Sequence, residues 1–101
     1  MATTAEILTN AIGHHQAGRL QEAEALYRAI LELHPMHPLA NYHLGILALQ
    51  VQQLQVARNY FETALTADPA VLQHRVTLAE CLYCCGEWER VQQLADEADL
   101  L

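Results

Sequence analysis

Cys81, Cys84 and Cys85 fall together in the run CLYCC, and this C-x-x-C is the first place in the sequence where redox or metal chemistry could sit. Thioredoxin-like chemistry needs a strand before the motif and a helix that begins at its first cysteine. Here the surrounding apolar spacing puts the cysteines near the end of a helix. A structural zinc site needs four ligands, normally from two spaced pairs, and no second cysteine pair exists. The six histidines raise the same question. His14 and His15 are neighbours, but adjacent helical residues point about 100° apart. His34 and His37 span a loop beside prolines. His15 and His43 can meet across a groove, where a partner contact or a solvated ring outweighs metal ligation, and either ring would make binding pH-sensitive near neutrality. The chain has no serine, only four glycines and no glycine loop that could cradle a phosphate. No nucleophile stands beside a base. We therefore expect no catalytic, cofactor-binding or metal-ligating residues, no enzymatic activity, and thiols that pack or face solvent.

Charge narrows the partners. Twelve acidic residues stand against five arginines and no lysine, and the formal net charge is −7. The arginines (Arg19, Arg28, Arg58, Arg75, Arg90) are scattered, which disfavours nucleic acid and anionic membrane as partners. Glu87, Glu89, Asp96, Glu97 and Asp99 read as an exposed acidic helix face able to meet a basic partner. At 101 residues and 52% hydrophobic content the chain is long enough for one small domain with a core. The N-terminus, MATTAEILTNAIGHH, lacks the basic start and apolar centre of a secretion signal. An odd number of cysteines without distant mates fits a reducing compartment. The expectation is a soluble, cytoplasmic protein.

The elements that position these residues follow from apolar spacing. Leu20, Ala23, Leu26, Tyr27, Ile30, Leu31 and Leu33 recur at intervals of three or four, and Leu54, Ala57, Tyr60, Phe61, Ala64, Leu65 and Ala67 repeat the pattern. The spacing predicts six helices at roughly 5–17, 20–33, 38–51, 54–67, 70–84 and 88–99. Pro38 and Pro69 suit first helical turns, and Asp68 can cap the helix that Pro69 opens. Connections this short force neighbouring helices to run antiparallel.

The stretch ARNYFETALTADP, residues 57–69, has a near twin 34 residues upstream in AEALYRAILELHP. Units beginning at Thr4, Pro38 and Leu72 align small residues (Ala11, Gly45, Ala79; Ala23, Ala57, Val91) and large ones (Leu20, Leu54, Trp88; Tyr27, Phe61). Small columns permit close helix crossings. Repetition itself has a cause, since one helix pair cannot bury its own apolar face and stacked copies supply the missing surface.

These columns resemble the tetratricopeptide repeat, with YHLGILAL, ARNYF and TADP as the best copy, contributing Leu44, Gly45, Ala57, Phe61, Ala64 and Pro69. The resemblance implies an all-α, right-handed superhelical array of antiparallel helix pairs: three repeats and six helices in a single domain over residues 1–101, with repeats about 4–37, 38–71 and 72–101. The first unit departs from it, with Asn10 and His14 where the others have Leu44 or Leu78 and Ala48 or Leu82. So does the third, which has Val91 for alanine and Ala95 for an aromatic. Its last helix, ending in two leucines, has no polar cap.

In this family the first helix of each unit lines a concave face that commonly holds a peptide or a partner's helix. Carried onto this sequence, the protein-binding groove comprises Leu8, Ile12, His15, Tyr42, His43, Ile46, Leu49, Val76, Thr77, Glu80 and Tyr83, and some of these also complete the core. Chaperone-tail binders of the family use a lysine, arginine and asparagine clamp, whose positions here hold Leu8, Ile12, His43, Gln73 and Thr77. The asparagine ladder of the O-GlcNAc transferase is replaced by Thr9, His43 and Thr77. The expected function is a non-catalytic interaction module binding a protein or peptide. Two alternatives stand beside it. One is a recruitment or assembly segment of a larger enzyme, such as the bacterial glycosyltransferases whose N-terminal arrays HHQAGRLQEAEALYRAIL resembles. The other is a scaffold that forms a homo-oligomer through its C-terminal helix.

Overall fold

The computed structural model describes residues 2–99, with six helices in the order α1 (Thr4–Gln16), α2 (Leu20–Leu33), α3 (Pro38–Gln50), α4 (Leu54–Ala67), α5 (Leu72–Cys85) and α6 (Trp88–Asp99). No strand occurs among the described residues. The first helices of the three pairs start at Thr4, Pro38 and Leu72, so the 34-residue period of the sequence is also the spacing of helix starts. The stack measures 43 × 27 × 20 Å, and each pair packs on the next through α2 with α3 and α4 with α5. Leu100 and Leu101, expected to leave the last helix uncapped, lie outside the described residues.

Local chemistry sets the helix ends. Thr3 caps α1 by accepting the Glu6 N–H at 3.2 Å. Pro38 opens α3, as expected, and the Nδ1 of His37 accepts the Ala40 N–H at 3.1 Å. Pro69 does not open α5, and this corrects the sequence reading. Pro69 and Ala70 form a turn, α5 begins at Leu72, and its N-cap Val71 offers no side-chain bond. Pro69 is the counterpart of Pro35, a loop residue, and not of Pro38.

Within each pair the turn is built identically. The N–H groups of Arg19, Gln53 and Glu87 each reach back five residues to His14, Ala48 and Leu82 at 2.9 Å. Those of Gly18, Gln52 and Gly86 bond His15, Leu49 and Tyr83 at 3.1, 3.0 and 3.1 Å. This is the Schellman arrangement, which needs a left-handed residue in the middle, and Gly18, Gln52 and Gly86 have φ of 82, 60 and 77°.

Two apolar clusters form the core. One joins Ala11, Ala23, Tyr27, Leu44 and Leu47 across α1 to α3. The other joins Ala48, Ala57, Phe61, Leu65, Leu78, Cys81, Leu82 and Leu94 across α3 to α6. Gly45 has a mechanical role between them, because a Cβ there would press on the Phe61 ring, with Cζ 2.8 Å away. α1 contributes a single buried residue, Ala11, and the two departures of the first unit, Asn10 and His14, are exposed and half-buried. α6 packs through Leu94 and Val91, and ion pairs tie it to its neighbours. Arg58 meets Glu87 at 2.6 Å, Arg90 meets Glu62 at 3.2 Å, and Arg75 meets Glu97 at 3.2 Å. Glu87 and Glu97 are therefore not the solvated carboxylates that the sequence reading made them.

Candidate functional site

The first helices place most of the expected groove residues on one face and join several of them into a row of rings. His15 comes from α1, Tyr42 and His43 from α3, and a fourth ring, the fully buried Tyr27 of α2, backs them from the core. His43 stacks on Tyr27 with ring centroids 5.4 Å apart and planes 4° from parallel. His15 stands edge-on to both, at 6.3 Å from His43 and 6.1 Å from Tyr27. Tyr42 continues the row at 5.3 Å from His43 and 5.4 Å from His74 on α5. His15 and His43 thus meet across the groove, as their columns implied.

Hydrogen bonds fix the tautomer at the head of the row. Gln50 Oε1 can only accept, so His15 Nε2–H donates to it at 2.8 Å. His15 Nδ1 lies 3.4 Å from the Tyr27 hydroxyl. Burial pushes the Tyr27 phenol up to about 12, so it stays a donor. Burial also lowers the His43 pKa, and the neighbouring His15 lowers it further. The centre of the face is consequently rich in ring faces and hydrogen-bonding edges.

The remaining expected residues divide. Leu8 and Ile12 are half-buried against the first cluster, while Tyr42, Ile46 and Leu49 lean on the second, so these five serve the core as well as the face. Val76 and Glu80 are exposed on α5. Tyr83 is exposed too, but it pairs edge-on with Trp88 at 4.7 Å and is not part of the row. Thr77 is only 4% exposed, and its hydroxyl is spent within α5, donating to the Gln73 carbonyl at 2.7 Å and accepting from the Gln73 amide at 2.9 Å. His74 was not expected in the site. It is 2% exposed and its Nδ1 has no partner. Its column gives no consistent signal in the sequence, since it holds the exposed Glu6 in the first unit and the buried Ala40 in the second.

The thiols differ in exposure, and Cys85 is half-buried beside Cys81. Cys81 is buried, with its Sγ–H donating to the Leu54 carbonyl at 3.5 Å, and Cys84 is exposed. Burial, reinforced by Cys85, pushes the Cys81 thiol up to about 12 and keeps it protonated. No group of three or more metal-ligating side chains occurs among the described residues. A cleft of about 730 Å³ between α4 and α6 is walled by Arg58, Glu62, Glu87 and Arg90, whose charges are spent on one another, and by Trp88. No described helix is long and apolar enough to cross a membrane.

Stacked helix pairs at a fixed period, turned by one repeated motif, define a helical-repeat solenoid of the protein-interaction type. The tetratricopeptide-repeat model matches residues 8–71 and 42–84, and the chain belongs to that family. Among solved structures it is similar to a MamA RS-1 double mutant, with 22% identity and a TM-score of 0.79 over 94% of this chain and 53% of that one. It is also similar to PilF of Pseudomonas aeruginosa, with 21% identity and a TM-score of 0.82 over 93% of this chain and 43% of that one. A tetratricopeptide repeat protein from Parabacteroides merdae gives 20% identity and a TM-score of 0.77 over 94% and 37%. The chain thus spans about half or less of the length of these structures. Comparison with curated proteins gives no match.

Proposed function

We propose that the chain is a non-catalytic docking unit, a single domain of three repeats that holds a peptide or helix of a protein partner on its concave face. The observation that carries this is the row of His15, His43 and Tyr42, backed by the buried Tyr27 and with Gln50 at its edge, which offers ring faces and hydrogen-bonding edges. Leu8, Ile12, Ile46 and Leu49 form the apolar floor, and Val76 extends it along α5 with Glu80 at its rim. Such a surface suits a mixed segment anchored by an apolar or aromatic side chain. Its three free cysteines fit a cytoplasmic setting. Service as the recruitment arm of a larger enzyme would use the same face.

The test is retention of proteins from native extract by the wild-type chain and by a Leu39→Arg, Gln50→Arg double variant. Both positions are exposed on α3, so the variant keeps its helical circular dichroism. Proteins retained by the wild type alone, followed by competition with a segment of one of them, are the expected result. Identical retention by both chains, or none by either, would sink the groove reading.

A further inference from the structure

The two joints of the stack are braced differently. At the second joint, between the second and third helix pairs, charges cross the convex side: Arg58 of α4 meets Glu87 beside α6 at 2.6 Å, and Arg90 of α6 meets Glu62 of α4 at 3.2 Å. One repeat earlier the same four columns hold Glu24, Gln53, Val56 and Arg28. Glu24 has a glutamine for its counterpart and Arg28 a valine, so the two pair with each other inside α2 at 2.8 Å. No ion pair crosses the first joint among the described residues. Its convex side is instead an open depression of about 450 Å³, whose lining includes Leu20, Leu47, Val51, Val56 and Tyr60.

On the concave side the first joint is closed by titratable rings. His15 and Tyr27 belong to the first pair, and Tyr42, His43 and Gln50 to the second. Across the boundary His43 stacks on Tyr27 at 5.4 Å, His15 stands 6.3 Å from His43, and His15 Nε2 is bonded to Gln50 at 2.8 Å. The groups that face the two imidazoles are Tyr27 from α2, Tyr42 and Gln50 from α3 and, behind Tyr42, His74 from α5. None is a carboxylate, and no salt bridge reaches either imidazole among the described residues. Protons on both rings therefore set two like charges side by side in half-buried surroundings, and only parting the rings relieves them. Burial first and His15 second lower the His43 pKa, so the closed joint is favoured above the usual 6.5 and loses ground as pH falls below it.

We propose that the joint between the first and second repeats is a proton-operated hinge, opened when the His15–His43 pair takes up protons, while the braced second and third repeats stay together as one body. The hinge acts whether the concave face is empty or filled, and so stands apart from the docking role.

Paired spin labels on the full chain measure each joint. Labels on Asn10→Cys and Gln55→Cys, with Cys84→Ala and Cys85→Ala, span the first joint from α1 to α4. Labels on Gln55→Cys and the native Cys84, with Cys85→Ala, span the second. All three labelled positions are exposed, whereas Cys81 is buried and its thiol protonated. Between about pH 7.5 and about pH 5.5 the first distance is expected to shift and broaden and the second to stay fixed. His15→Gln, His43→Gln should abolish the shift. Should that variant lose its helical circular dichroism, His43→Gln alone should reduce it. Copying the brace onto the first joint with Glu24→Arg, Arg28→Glu, Gln53→Glu and Val56→Arg should reduce it too. The hinge is overturned by an unchanged first distance, by equal changes at both joints, by a shift that the histidine variants retain in full, or by one that the copied brace leaves undiminished.

Discussion

His43 is held by rings from three helices: Tyr27 beneath it, His15 at its edge and Tyr42 beside it. No carboxylate is among these partners, so burial first and His15 second lower its pKa below the usual 6.5. His37 shifts the same way, mainly through burial, and its Nδ1 must stay unprotonated to accept the Ala40 N–H. The unfolded chain therefore takes up protons at a higher pH than the folded one. Stability is complete above about pH 6.5 and falls as pH drops below it, by at most ~1.4 kcal/mol per pH unit for each group, until the folded pKa is passed. Urea denaturation at pH 7.5 and 5.5 should give a lower stability at 5.5, and His43→Gln should narrow the difference. An unchanged difference would place the effect elsewhere. The approach of His15 to His43 was legible because both lie on inward columns of the repeat. The stack on Tyr27 and the burial of His74 were not, since one depends on a second helix reaching the face and the other on the third unit's packing.

At the scale of the element, the intra-pair turns show how closely the repeat dictates backbone. The same Schellman turn is met by glycine at positions 18 and 86 and by Gln52 in the middle unit, with φ of 60°. A side chain in the left-handed region costs about 1–2 kcal/mol, and glycine returns about 0.5–1 kcal/mol of that as unfolded-state entropy. Gln52→Gly is accordingly expected to stabilise the protein by ~0.5–1 kcal/mol, read as a raised Tm without change in helical content. A lowered Tm would mean that the Gln52 side chain contributes more than its strain costs. Helix positions were legible from spacing alone. The start of α5 was missed because proline reads alike in a first turn and in a closing loop, and only its repeat column, shared with Pro35, distinguishes them.

At the scale of the whole molecule, two opposing electrostatic effects act on the same chain. A formal net charge of −7 repels itself throughout, and added salt screens that repulsion and stabilises the array. α6 is the exception. Leu94 is the residue it gives to the buried core among the described residues, and α6 is tied down by Arg58–Glu87, Arg90–Glu62 and Arg75–Glu97, whose partners lie on α4 and α5 and could not be paired from sequence. Such partly exposed pairs contribute little each, and near 1 M salt the screening length shrinks to about 3 Å. Quasi-one-dimensional arrays open from their least buried end, so salt should act on α6 with the opposite sign from the rest. Amide hydrogen exchange in low salt and in about 1 M salt is expected to slow in α2 to α4 and to quicken in α6. Slower exchange in every helix would mean that relief of the net charge outweighs the ion pairs even at α6, and that the Leu94 contact is enough to hold it.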